Sequence, residues 1–119
     1  MNINLDQKFE KVTNTWHPYI IGELNENYVM IAKLNGELVW HSHEHEDELF
    51  VVLSGTLMMD FKDQTITTKQ GEILIVPKGV EHRPWTNGEE VRIMLVEPQH
   101  IKHTGDVKVE QTVEKFEWI

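Results

Sequence analysis

Three of the chain's seven histidines stand at alternating positions in one short stretch, His41-Ser42-His43-Glu44-His45-Glu46. A carboxylate, Glu48, follows, and His82 lies further on, behind the turn Pro77-Lys78-Gly79. Imidazole nitrogen and carboxylate oxygen are the usual protein ligands of divalent transition metals. Residues two apart on a β-strand share a face, so a strand over 37–43 sets His41 and His43 side by side with Val39. Two inward imidazoles need partners for both ring nitrogens, and a cation satisfies one nitrogen of each. Glu48 has the opposite parity. A reversal at Glu44-His45-Glu46-Asp47 removes that objection, because the returning strand then carries Glu48, Phe50 and Val52 inward. His82 is the remaining candidate. Pro77 fixes φ and Gly79 tolerates tight geometry, so the turn re-aims the chain toward the interior. Three neutral imidazoles and one carboxylate leave positions open on a divalent ion for water or substrate.

The elements that position these groups are short. Runs at 28–34, 37–43, 48–53, 56–61, 73–76 and 91–96 have strand length and strand composition. Turn signals separate them, including two Asn-Gly pairs, Asn35-Gly36 and Asn87-Gly88, that suit tight hairpins. Regularly spaced short strands imply an all-β sandwich or barrel. Leu5, Phe9 and Val12 suggest one short N-terminal helix. Alternation at Val107, Val109, Gln111 and Val113 suggests a last strand within 107–119. Residues 49–53, 73–76 and 93–96 are apolar at nearly every position, as strands buried on both faces are. The expected cover for an outer face is a second copy of the chain, making a homodimer. The chain's own termini are the alternative.

The 119 residues suffice for one domain, 1–119. Twenty acidic against eleven basic side chains give a formal net charge of −9, which disfavours nucleic acid and anionic membrane surfaces as partners. There is no cysteine, so disulfides, thiolate nucleophiles and cysteine-based zinc sites are excluded. The first residues lack the basic start and apolar run of a signal peptide, and no window is apolar enough to span a bilayer. A soluble, cytoplasmic protein is expected.

Two spaced motifs also resemble a known family. Gly36-x4-His41-x-His43-x4-Glu48-x6-Gly55 is similar to the first motif of the cupin superfamily, and Gly71-x5-Pro77-x-Gly79-x2-His82-x4-Asn87 to the second. The resemblance covers about residues 28–97, and the local string resembles small single-domain cupins described as conserved barrels. It implies a double-stranded jelly-roll β-barrel, often dimeric. It implies a metal held by His41, His43, Glu48 and His82, commonly iron, manganese, nickel, copper or zinc. Gly36 stands one residue closer to the first histidine than in the usual pattern, and Asn87 one residue further from His82; both departures fall in turns.

Neighbouring residues read differently. His45 is spaced to form an alternative ligand pair with His43, but is expected to face solvent in the reversal. Glu44, Glu46 and Asp47 read as solvated charges, one of which could orient a ligand imidazole. Trp40 and Trp85 read as packing residues, Arg83 as a surface ion pair, and His17, His100 and His103 as lying outside the cluster. The function expected is a metal-binding cupin with a small-molecule pocket in the barrel, as a metal-dependent oxygenase or isomerase. The alternatives are a non-catalytic module that binds or senses a small ligand, and metal-free acid/base catalysis by a histidine.

Overall fold

Alternating branched aliphatics build two sheets that share one core. The computed structural model describes residues 1–119. A short helix, α1 (Leu5–Phe9), precedes nine strands: β1 (Tyr19–Leu24), β2 (Asn27–Leu34), β3 (Glu48–Ser54), β4 (Thr56–Asp60), β5 (Thr65–Lys69), β6 (Ile73–Val76), β7 (Arg83–Trp85), β8 (Val91–Pro98) and β9 (Glu117–Trp118). The larger sheet has the order β6-β3-β8-β2-β1-β9, and the smaller one the order β5-β4-β7. Neighbours pair antiparallel except β1 with β9.

The core contains residues from both sheets, among them Met30, Phe50, Val52, Val76, Ile93 and Leu95 of the larger and Leu57 and Met59 of the smaller. Inward positions follow the period of two. On β8 they are Val91, Ile93, Leu95 and Glu97; on β3 they are Glu48, Phe50 and Val52. The reversal before Glu48 and the inward set of β3 match the sequence expectation.

Several expectations need correction. Residues 37–43 do not form a strand. They run extended beside β7 and are held by two isolated bridges, Glu37 with Trp85 and His41 with His82. Pro84 explains the broken ladder: it accepts from the Leu38 N–H but has no N–H to return. The Asn-Gly pairs do not close hairpins. Each lies where the chain passes between the larger sheet and the neighbourhood of β7, and the two turns are tied together: Gly36 N donates to Thr86 Oγ1 and Thr86 N donates to Gly36 O. Between Val107 and Ile119 only Glu117–Trp118 is strand. Local turns take up the backbone before it, with Val107 N donating to Thr104 O and Thr112 N to Val109 O. Strands β1, β5 and β7 escaped the sequence reading; β7 is only three residues long and contains a proline.

The outer face of the larger sheet is only partly covered. Phe9 and Val12 pack with Tyr19, Ile21 and Ile31, and against Leu53 and Met94, so the chain's own N-terminal segment covers that part. Residues 73–76 are not buried on both faces as expected. Ile73 is 60% exposed and Ile75 57% exposed in the single chain, on the edge strand β6. No helix is long and apolar enough to cross a membrane.

Candidate metal centre

Two stretches of chain meet through one backbone bridge. His41 N donates to His82 O at 3.0 Å, and His82 N donates to His41 O at 2.9 Å. The second stretch is anchored beyond the bridge as well: Gly79 N donates to His43 O, and Lys78 N to the Asp47 carboxylate. The Pro77-Lys78-Gly79 turn thus clamps the loop that carries the first two histidines. β3 brings Glu48 alongside. The four side chains are all buried, and their potential ligand atoms lie within 4.8 Å of one another. His45, in contrast, faces solvent with its side chain 79% exposed beside Glu44.

The imidazoles are oriented by backbone carbonyls rather than by the loop carboxylates. His41 Nδ1 lies 2.8 Å from Val39 O, and His82 Nδ1 lies 2.9 Å from Val80 O. A carbonyl only accepts, so the proton of each neutral ring sits on Nδ1 and the lone pair on Nε2. His82 Nε2 then faces Glu48 Oε1 at 3.2 Å, and His43 Nε2 faces Glu48 Oε2 at 3.4 Å. His43 Nε2 is buried and makes no well-formed hydrogen bond. Lone-pair nitrogen facing carboxylate oxygen across such a gap is unfavourable unless something positive lies between them.

A divalent cation fits these residues on that ground. Ligand atoms each about 2.1 Å from one centre lie within about 4.2 Å of one another, so shifts of roughly half an ångström close the set. The nitrogen and oxygen donors without thiolate suit several transition metals.

The charges agree with this arrangement. Burial pulls the His41 imidazole down to about 4, and the neighbouring His82 adds to the effect, so His41 is neutral at pH 7. Burial also opposes protonation of His43, but the adjacent Glu48 carboxylate outweighs it and the net direction is up. Burial disfavours Glu48 as an anion, yet in the metal-free chain a proton shared across its contacts with His43, His82 and Glu97 supplies the positive partner and holds it well below the usual carboxylate range.

Glu97 was not foreseen. It is 4% exposed, and burial with the adjacent Glu48 charge pushes it well above the usual carboxylate range, which favours a protonated Glu97 beside an ionised Glu48. Its other oxygen, Oε1, has no partner. The signal was available: Glu97 continues the inward parity of Val91, Ile93 and Leu95. His103 was also left out of the cluster, yet it lines a small cavity with His41, Glu48 and Glu97. No local pattern marks it, because it sits in a segment of turns.

Trp40 and Trp85 do not line that cavity; Trp16 does. Trp85 Nε1 donates to Asp60 at 2.8 Å, and Lys62 stands over the Trp40 ring. Arg83 pairs with Asp60 and Glu37, as its surface reading anticipated.

The comparisons with known proteins point one way. The chain is similar to the uncharacterized protein YdbB of Bacillus subtilis (strain 168), 46% identical over 66 residues, which is 55% of this chain and 58% of that protein. The match therefore spans less than two thirds of that curated relative. The fold is similar to the crystal structure of a cupin-2 domain containing protein from Shewanella frigidimarina NCIMB 400, at 45% identity and a TM-score of 0.78, covering 81% of this chain and 93% of that one. It is also similar to hydroquinone 1,2-dioxygenase from Sphingomonas sp. TTNP3, at 19% identity and a TM-score of 0.72, covering 82% of this chain and 32% of that one, a likeness of fold alone. The family model for the cupin domain matches residues 28–97, the span that carries all four clustered side chains, and the chain belongs to the cupin family.

Proposed function

We propose that this protein is a metal-dependent cupin that holds one divalent transition metal ion through His41, His43, Glu48 and His82 and binds a small molecule beside it. The observation that carries the reading is the pair of short gaps from Glu48 to His82 Nε2 and His43 Nε2, with the Nδ1 proton of His82 already committed to Val80 O. Iron, manganese, nickel, copper and zinc all suit the donor set. When bound, such an ion supplies Lewis acidity or oxygen activation toward a chelating substrate. The chain's own residues set the conditions for it. Val39 O and Val80 O fix two imidazoles in the ligating tautomer, Glu97 supports Glu48, and Leu38, Phe50 and Leu95 keep the adjoining cavity apolar. Oxygenase or isomerase chemistry is the reading we favour, with non-catalytic binding of a small ligand as the alternative. The double-stranded jelly-roll barrel is the finer fold reading; its support is the core shared by the two sheets and the family match.

Elemental analysis of protein purified without a nickel column tests the proposal. One equivalent of a transition metal per chain, present on purification or after reconstitution, is the expected result. Protein that stays metal-free through reconstitution defeats it and favours metal-free acid/base chemistry. Oxygen uptake with small diols and diketones then separates an oxygenase from a binder.

A homodimer is part of the same proposal. Its support is the exposed pair Ile73 and Ile75 on an edge strand, a surface that could pair with its own copy across a two-fold axis.

A further inference from the structure

His103 stands between two spaces. It lines the cavity of about 40 Å³ that adjoins His41, Glu48 and Glu97, and it also lines an outer cleft of about 600 Å³ between the C-terminal segment and β1 and β2. The inner space holds little more than a water molecule or two. A ligand larger than this space extends beyond it, and the outer cleft offers room on the far side of His103, which is on the wall of both.

The ring is fixed. Val113 N donates to His103 Nδ1 at 2.9 Å, and the edge of the ring meets Phe116 with centroids 6.2 Å apart. Nδ1 is thus an acceptor, and a neutral ring carries its proton on Nε2. Burial, with the nearby His41, pulls the imidazole down to about 4, so the ring is neutral at pH 7. Nε2 makes no hydrogen bond within the protein. The cavity is also lined by Glu97, whose nearly fully buried side chain leaves Oε1 unpartnered. His103 and the unpartnered Glu97 Oε1 line one largely apolar cavity, and together they offer polar contacts to a small ligand.

We propose that His103 is a ligand-contacting residue: its Nε2–H donates to one oxygen of a small oxygen-chelating molecule whose neighbouring oxygen reaches the metal. The proposal rests on the metal reading above. The ligand class is a compact molecule with two adjacent oxygens, such as a hydroxy-carbonyl or hydroxamate group.

The test uses the full chain loaded with cobalt(II) and titrated with acetohydroxamate, a small bidentate oxygen chelator, followed through the visible cobalt spectrum. His103→Phe keeps an aromatic ring against Phe116 and removes the donor; it should bind cobalt as the wild type does but acetohydroxamate about tenfold more weakly. His103→Gln restores an N–H near the position of Nε2 and should lie within about threefold of wild type. On metal-free protein, long-range ¹H–¹⁵N correlation should show His103 protonated on Nε2. Wild-type affinity for acetohydroxamate in a cobalt-loaded His103→Phe variant overturns the assignment and leaves the metal reading intact. A proton on Nδ1 of His103 overturns it as well. Failure of the wild type to take up cobalt overturns both.

Discussion

His41 and His82 exchange both of their backbone hydrogen bonds, at 3.0 and 2.9 Å, although they are far apart in sequence. This bridge, with Gly79 N donating to His43 O, joins the stretch that supplies His41 and His43 to the stretch that supplies His82. It does so where no continuous strand exists, so the ligand positions depend on two chain segments held at a few points.

Replacing a ligand should empty the centre without unfolding the chain. For His43→Ala and His82→Ala, bound metal should fall at least about tenfold, since losing even an orienting partner typically costs about 10–100-fold in affinity. Inductively coupled plasma mass spectrometry, with circular dichroism as a fold control, reads this. Wild-type occupancy in both variants would show that the ligands have been misassigned. His45→Ala should retain full occupancy, because the His45 side chain is 79% exposed and turned to solvent.

Metal binding and metal-free stability should respond to pH in opposite directions above neutrality. His43 is raised in the folded metal-free chain, through Glu48. A raised histidine contributes stability that is present below its unfolded value, about 6.5, and is lost as pH rises through the folded value. Glu97, also raised, acts in the same direction, because the unfolded chain releases its proton at a lower pH. His41 and His103, held near 4, bind fewer protons folded than unfolded around pH 6.5 and oppose this slope there; above about pH 7.5 they are neutral in both states and add none. The melting temperature of metal-free protein should therefore fall between about pH 7.5 and pH 8.5, where only the raised groups still titrate. Zinc affinity should rise over the same interval, because the metal must displace the His43 proton. Calorimetry and competitive titration at both pH values check the two slopes.

The C-terminal segment should depend on one glycine. Gly105 has φ +59°, and a Cβ built there would overlap the backbone carbonyl of Ser42, between His41 and His43. Gly105→Ala adds left-handed strain of about 1–2 kcal/mol to that overlap. The melting temperature should drop by about 4–8 °C or more, and limited proteolysis should cut first between residues 99 and 116. A variant as stable and protease-resistant as wild type would mean that this segment is not packed on Ser42.

The exposed face of β6 offers a test of assembly. Analytical ultracentrifugation should find a dimer in the wild type and a monomer in the Ile73→Lys, Ile75→Lys double variant, with unchanged circular dichroism. Lysine at an exposed strand edge blocks pairing while leaving the core side of β6 untouched. A monomeric wild type at high concentration removes the dimer from the proposal.

The sequence alone made the four clustered side chains and the β class legible. Alternation at His41 and His43, the parity switch at Glu48 and the Pro77–Gly79 turn are local properties, because side-chain direction in extended chain follows from position. The inward sets of β3 and β8 were legible for the same reason, and Glu97 was in principle readable from that alternation. Pairing was not legible. Pro84 broke the ladder expected for 37–43, and the Asn-Gly turns took the chain toward the other sheet, because a turn's geometry does not say which partner lies beyond it. His103 belongs wholly to tertiary structure. It reaches the metal-side cavity only because a segment of turns, with no periodicity of its own, is seated on Ser42 and fastened through Val113, and such a placement results from contacts between residues far apart in the chain.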